Sequence, residues 1–299
     1  MTLYEFLGAV EVGFIFGLVA LGAFLSFQVL DFPDLTVEGS FPLGAAVTAV
    51  LIVRFGWNPW PATASAAVAG CAAGFVTAHL NVRYKILHIL AGILVSIGLY
   101  SVNLRIMGGP NKPLLGTHTV FSAFEGLGFP TYVVTPIFLG SVAVFAKLAL
   151  DLFLKTGIGL GMRAAGANPV MATANGIDVG RMKLIGIGLA NAFTAVAGAL
   201  FAQLFGAADV YMGIGVVIIG LASVIIGLSI LPVRTVFQAT SACLIGALLY
   251  RLAVALALNA DFLGLAVSDV QLVTAVLVAL TLVGRTRSRM GRSTQQGAA

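Results

Sequence analysis

Three acids fall within ten residues near the start of the chain, in the run Asp31-Phe32-Pro33-Asp34-Leu35-Thr36-Val37-Glu38-Gly39-Ser40. Carboxylates, a proline and a glycine between two apolar runs can form an ordinary loop. They can equally break a helix inside a bilayer, where irregular backbone persists only if it lines a cavity or packs on protein. Acids at such a break would accept an ammonium group or pair with Lys or Arg. Asn103 and Asn191 sit inside apolar runs, where their amides need partners; bonding between helices and lining of a pathway are both open. Arg251, also within an apolar run, must face protein or a wet space, with Asp261 or Asp269 as partners, or snorkel outward. Lys147 and Asp151 are four apart and read as a pair on one helix face.

The other polar stretch is 155–183, KTGIGLGMRAAGANPVMATANGIDVGRMK. It is too polar and too rich in Gly and Asn to span. Asn168 has the chemistry of an N-cap and Pro169 that of the first helical position. A short helix over Val170 to Asn175 follows, with Gly176 as its C-terminal stop. The run Gly157-Ile158-Gly159-Leu160-Gly161 reads as flexible loop. A short helix here either docks a soluble partner or merely turns the chain at the membrane surface.

Other chemistries lack their residues. There is no GxxxxGK[ST] loop for nucleotide phosphates and no GxSxG nucleophile motif. His79, His88 and His118 show no metal-ligand spacing, so neither a metal nor another cofactor is expected. Cys71 and Cys243 both lie in apolar runs and read as small packing residues, not a disulfide. Catalysis is not expected; transport, channel activity, or a scaffold or receptor role are.

The elements that must position these residues are membrane helices. Of 299 residues, 60% are hydrophobic and only 9% charged, with a mean hydropathy of +1.06. Soluble domains carry about 25% charged residues, so this chain cannot cover itself with polar surface. Candidate spans of about 20 apolar residues are 7–30, 41–55, 61–80, 86–104, 132–154, 184–206, 213–231, 236–258 and 267–284. The 41–55 segment is short and suits half of a broken helix. The fold class is thus an all-α polytopic membrane protein of about 8–9 transmembrane or half-spanning helices. It forms one transmembrane domain over 1–284, followed by a basic tail at 285–299.

Lys and Arg orient the bundle. The clusters Arg83/Lys85, Lys155 to Lys183, Arg234, and Arg285, Arg287, Arg289 and Arg292 all fall on one side once these spans are threaded. That side is cytoplasmic, the C-terminus with it, and loop 105–131 is outside. The net charge of +5 reflects these residues, which also meet anionic lipid headgroups. Nothing resembles a nucleic-acid face. The N-terminus carries Glu5 and Glu11 at the outer or interfacial end of the first helix. It has no basic n-region and is expected in the mature protein. A faint internal repeat is present: Gly39 and Gly44 are five apart after Asp34, as Gly215 and Gly220 are after Asp209.

The 155–183 run resembles the cytoplasmic coupling segment of ABC importer permeases of the branched-chain amino acid and ribose type. Their pattern, close to G-x-x-x-R-A-x-G-x-N-x-x-A-x-x-x-G-I, is matched by Gly159, Arg163, Ala164, Gly166, Asn168, Ala172, Gly176 and Ile177. The downstream AVAG at Ala195 to Gly198 and the glycines 213, 215, 220 and 227 fit as well. DLTVEGSFPLGAA and LYSVNLRIMGGPN look most like the poorly characterised subgroup that includes tryptophan-uptake permeases. The resemblance implies a bacterial inner-membrane permease, working as a homodimer or a pair of related permeases. It also implies two ABC ATPase subunits that bind the ATP, and a periplasmic or lipid-anchored substrate-binding protein. The eight residues from Gly159 to Ile177 would couple ATP hydrolysis. Asp34, Thr36, Glu38, Gly39, Asn103, Asn191, Gly215 and Gly220 are the candidates for the translocation pathway. The rival readings are a secondary transporter that works alone and a membrane scaffold or sensor.

Overall fold

The computed structural model describes residues 3–124, 130–231 and 233–258, and a few positions between 272 and 279. The expected span 267–284, the tail 285–299, and Asp261 and Asp269 lie outside the described residues, apart from those few positions. Among the described residues, ten α-helices and a ribbon of two three-residue strands make up most of the structure. They are α1 (Leu3–Ala23), α2 (Val37–Val53), α3 (Pro59–Tyr84), α4 (His88–Met107), β1 (Asn111–Pro113), α5 (Thr131–Lys155), α6 (Gly157–Ala167), α7 (Pro169–Ala174), α8 (Val179–Phe205), β2 (Ala207–Asp209), α9 (Val216–Ile230) and α10 (Val236–Leu258). Among the described residues, 7 helical segments are long and apolar enough to cross a bilayer.

The long helices alternate in direction between two ends. One end, here the basic end, gathers Arg83, Lys85, Lys155, Lys183 and Arg234 with α6 and α7. The other is closed by β1 and β2, antiparallel with Asn111 opposite Asp209 and Pro113 opposite Ala207. That ribbon ties the ends of α4 and α8 together.

Small residues set the packing. A side chain at Gly70 or Gly74 of α3 would overlap the Asn191 or Ile187 carbonyl of α8. Gly44 of α2 lies against the Ala195 carbonyl, and Gly198 of α8 against the Phe41 carbonyl. Without a hydrophobic force between helices in lipid, such close backbone approach is what holds them. The AVAG run of α8 is therefore a packing seam. Cys71 and Cys243 are free thiols, the second buried.

One expectation is corrected. Gly157 to Gly161 is not loop but the first turn and a half of α6. Thr156 caps it, its Oγ1 accepting from the Gly159 amide at 3.3 Å. The glycines serve contact instead of flexibility: Gly159 lies on the Phe153 carbonyl and Gly166 on the Val29 carbonyl. The short helix α7 forms as expected, with Asn168 Oδ1 accepting from the Met171 amide at 3.0 Å and Gly176 at φ +80° ending the turn.

Candidate translocation site

The first break begins where α1 widens into a π-helical turn, Phe24–Val29. Pro33 has no amide hydrogen and disfavours a helical residue before it, so the helix cannot continue. The chain leaves through Asp31 at φ 49° and runs extended to Thr36. Asp34 rebuilds order: its Oδ1 accepts from the Thr36 amide at 2.8 Å and its Oδ2 from Asn191 Nδ2 at 2.6 Å. Ser40 Oγ donates to Asn191 Oδ1 at 2.7 Å, and the Thr36 and Thr77 hydroxyls share a hydrogen at 2.6 Å. All five side chains are fully buried. This network joins the break to α3 and α8, so Asp34, Thr36 and Asn191 are bonded inside the bundle. α2 then rises for 17 residues, about 25 Å at 1.5 Å each, short of a full hydrocarbon core of about 30 Å. The expected broken helix over 31–55 is present.

A second break separates α8 from α9. Gly206 (φ +72°) ends α8, β2 follows, and a 3-10 turn, Val210–Gly213, leads to α9. Asp209 caps that turn, its Oδ1 accepting from the Tyr211 amide at 2.7 Å, while Asn111 Nδ2 donates to its Oδ2 at 3.2 Å.

The two breaks touch. Pro42 lacks the amide that would bond the Glu38 carbonyl, and Gly213 lies against that carbonyl. Glu38 Oε1 accepts from the Gly215 amide at 3.2 Å, at the N-terminus of α9. A cavity of about 300 Å³ opens beside this junction, with Glu38, Gly39, Asn103 and Ser96 on its walls and Tyr100 and Tyr211 at its rim. Asn103 Nδ2 donates to the Gly39 carbonyl at 3.2 Å, and its buried Oδ1 has no partner among the described residues. The Tyr100 and Tyr211 hydroxyls are 3.2 Å apart.

Of the expected pathway residues, Glu38, Gly39 and Asn103 therefore meet at one cavity, with Gly215 bonded to Glu38. Asp34, Thr36 and Asn191 form the adjoining buried network. Gly220 stands apart, its α-carbon facing Val19 and Ala23 of α1. Sequence reasoning missed Tyr100 and Tyr211; the signal was present in LYSVNLRIMGGPN and in the residues after Asp209, but the pairing of β1 with β2 that joins them was not visible. Arg251 lies with Glu5 and Glu11 on a separate cavity of about 540 Å³ at the end remote from the basic end. Lys147 and Asp151 form the expected pair, 2.9 Å apart, and Thr240 Oγ1 donates to Asp151 at 2.7 Å.

At the basic end, α6 and α7 project beneath the first break. Val170 and Met171 are 76% and 58% exposed. Arg163 borders a cavity of about 410 Å³ with Gln28, Gly166 and Arg234. Gly159 and Gly166 face inward, Ala172 is buried, and Ile177 donates its amide to the Ala172 carbonyl at 3.0 Å.

Membrane-length helices broken twice around a polar-edged cavity define a solute-translocating membrane protein. Residues 6–283 match the family described as branched-chain amino acid transport system / permease component, and the chain belongs to that family. It is a multi-pass membrane protein and the permease subunit of an ABC importer, a class of transport subunit that generally has ATPase and substrate-binding partners. It is 38% identical over 265 residues to a tyrosine transport system permease protein of Clostridioides difficile, covering 88% of this chain and 85% of that one. A probable branched-chain amino acid transport permease of Methanocaldococcus jannaschii is 28% identical over 203 residues, 64% of each chain. Among solved structures, PsaBC from Streptococcus pneumoniae, in complex with Fab, shares the fold. Its TM-score is 0.52 at 13% identity, over 94% of this chain and 91% of that one.

Proposed function

We propose that this permease imports an amino acid, with aromatic side chains preferred, across a bacterial inner membrane. The observation that carries this is the cavity at the meeting of the two breaks, walled by Glu38 and Asn103; the likeness to a tyrosine permease supports the solute class. The basic end and the C-terminus face the cytoplasm, as the concentration of Lys and Arg supports. Residues 1–284 act as one transmembrane domain and 285–299 as a basic tail. Two ATPase subunits hold the ATP, so this chain needs no cofactor of its own. A second copy completes the pathway, and an external binding protein delivers the solute.

The coupling elements are α6 and α7, with Gly159, Arg163, Ala164, Gly166, Asn168, Ala172, Gly176 and Ile177. The exposed Val170 and Met171 supply an apolar knob for the ATPase. Gly166 bears directly on the Val29 carbonyl, so displacement of α6 reaches the π-turn, then the Asp34 network, then Glu38. The energy of ATP hydrolysis thus has a continuous path of packed backbone to the cavity.

The test is ATP-driven uptake of labelled tyrosine and leucine by the complex purified through a tag on this chain and reconstituted in liposomes. Asn168→Ala and Gly176→Val should cut uptake and its ATPase stimulation at least tenfold while membrane insertion stays intact. Full coupled uptake with residues 159–177 scrambled would refute the coupling role. Uptake by the chain alone, without ATPase, would replace the importer with a secondary transporter.

A further inference from the structure

We infer that the cavity between the two breaks is an ammonium-recognition site, and that Glu38 with Asn103 selects solutes carrying a protonated amine beside an apolar body. This rests on the permease reading above and names what that pathway reads. Three observations on the same wall carry it.

First, the strong polar groups there accept. Glu38 is a half-buried carboxylate, with Oε1 engaged by the Gly215 amide at 3.2 Å. Asn103 is fully buried; its Nδ2 is committed to the Gly39 carbonyl at 3.2 Å, which leaves Oδ1, a buried acceptor without a partner among the described residues, as the end of the amide that meets a ligand once the side chain turns toward the cavity. An orphaned buried acceptor is costly, and a donor-rich ligand relieves that cost.

Second, no cation competes. None of the described residues on the wall is Lys, Arg or His. A lone carboxylate in an apolar setting favours a cationic partner, and an ammonium carries three donors for the acceptors available.

Third, the remaining surface is apolar and aromatic. Pro42, Ile97, Val210 and Ile214 complete the wall, and the rings of Tyr100 and Tyr211 stand 6.0 Å apart at the rim. Two hydroxyls that share one hydrogen leave one O–H free, which can meet a carboxylate at the mouth. Asp209 acts as a positioning residue, since it holds the turn that carries Tyr211. The volume, about 300 Å³, is at the small end of solute sites.

The experiment uses the full-length chain in lipid nanodiscs, titrated with L-tyrosine, tyramine (amine only) and 3-(4-hydroxyphenyl)propionate (carboxylate only). L-Tyrosine and tyramine should bind, and the propionate at least tenfold more weakly. Glu38→Gln keeps the acceptor for the Gly215 amide and removes the charge. It should weaken both amines about tenfold to a hundredfold, the span of a charge-assisted hydrogen bond, and erase the preference over the propionate. Tyr211→Phe, on the exposed rim, should weaken tyrosine and spare tyramine. If Glu38→Gln does not fold, the wild-type ligand series and Tyr211→Phe decide. Equal binding of the propionate, unchanged affinity in Glu38→Gln, or no binding of any probe overturns the inference. ATP-driven amino-acid uptake alongside any of those results leaves the importer standing and removes only the ammonium site. Loss of uptake itself would remove the importer.

Discussion

Asn191→Leu isolates the network that holds the first break. Leucine keeps asparagine's branched outline of four side-chain heavy atoms, so no cavity opens and the polar loss dominates. The Ile187 carbonyl, which accepts from Asn191 Nδ2 at 3.0 Å, keeps its backbone partner within α8 and loses little. Ser40 can turn its hydroxyl to a carbonyl of its own helix, as Ser223 does to Ile219 at 2.7 Å. Asp34 has no such escape, because Oδ1 is held by the Thr36 amide and Oδ2 loses its 2.6 Å donor. A stranded buried acceptor costs about 1–3 kcal/mol, more when charged. Hydrogen bonds between membrane helices average about 0.6 kcal/mol and reach about 1.7. Asp34 belongs at the upper end and Ser40 at the lower, giving about 2–4 kcal/mol in all. Reversible unfolding in mixed detergent micelles measures it, with Ser40→Ala expected to cost about 0.5–1 kcal/mol. If Asn191→Leu is no less stable than Ser40→Ala, the apolar packing holds the break and the network does not.

Two further outcomes follow from packing and charge. Gly44→Ala should lower stability by about 1–3 kcal/mol, because its new methyl overlaps the Ala195 carbonyl. Gly98→Ala, with nothing nearby, should be neutral or slightly stabilising in the same thermal melt. Lys147→Met strands Asp151, 3% exposed, and should cost about 3–5 kcal/mol. The double variant Lys147→Met/Asp151→Leu should recover much of that loss, which comparison of the three melting curves would show.

The spans were legible because lipid demands long apolar runs, and the short helix α7 because Asn168, Pro169 and Gly176 each act within four residues of chain. The broken helix over 31–55 was legible for the same local reason, a proline and acids where a helix would have to continue. What stayed hidden is long-range. Asn191 and Asp34 are 157 residues apart, and an apolar window does not say which face of α8 an amide occupies. Gly157 to Gly161 misled because glycine marks both loops and close packing, and only the Phe153 and Val29 carbonyls beside α6 separate the two. Tyr100 and Tyr211 meet through a strand pairing of three residues a side, too short to leave a pattern.

The two breaks resolve one another's unsatisfied groups. Pro42 frees the Glu38 carbonyl, which Gly213 approaches; Glu38 in turn sends its carboxylate to the bare N-terminus of α9 at Gly215. A negative side chain there is favoured by the helix dipole, which is how a carboxylate stands within a wall that holds no Lys, Arg or His among its described residues. On the reading proposed above, that same carboxylate receives the solute's ammonium. Solute and α9 then draw on one charge, so occupancy of the cavity weakens the hold of Glu38 on the second break. Linkage makes the converse true: any displacement that pulls α9 from Glu38 changes the affinity for solute by the same factor. Because α6 bears on the π-turn at Val29, and that turn leads through Asp34 to Glu38, a push at the basic end arrives at this shared carboxylate. On that reading, Glu38 is the residue through which binding and coupling meet.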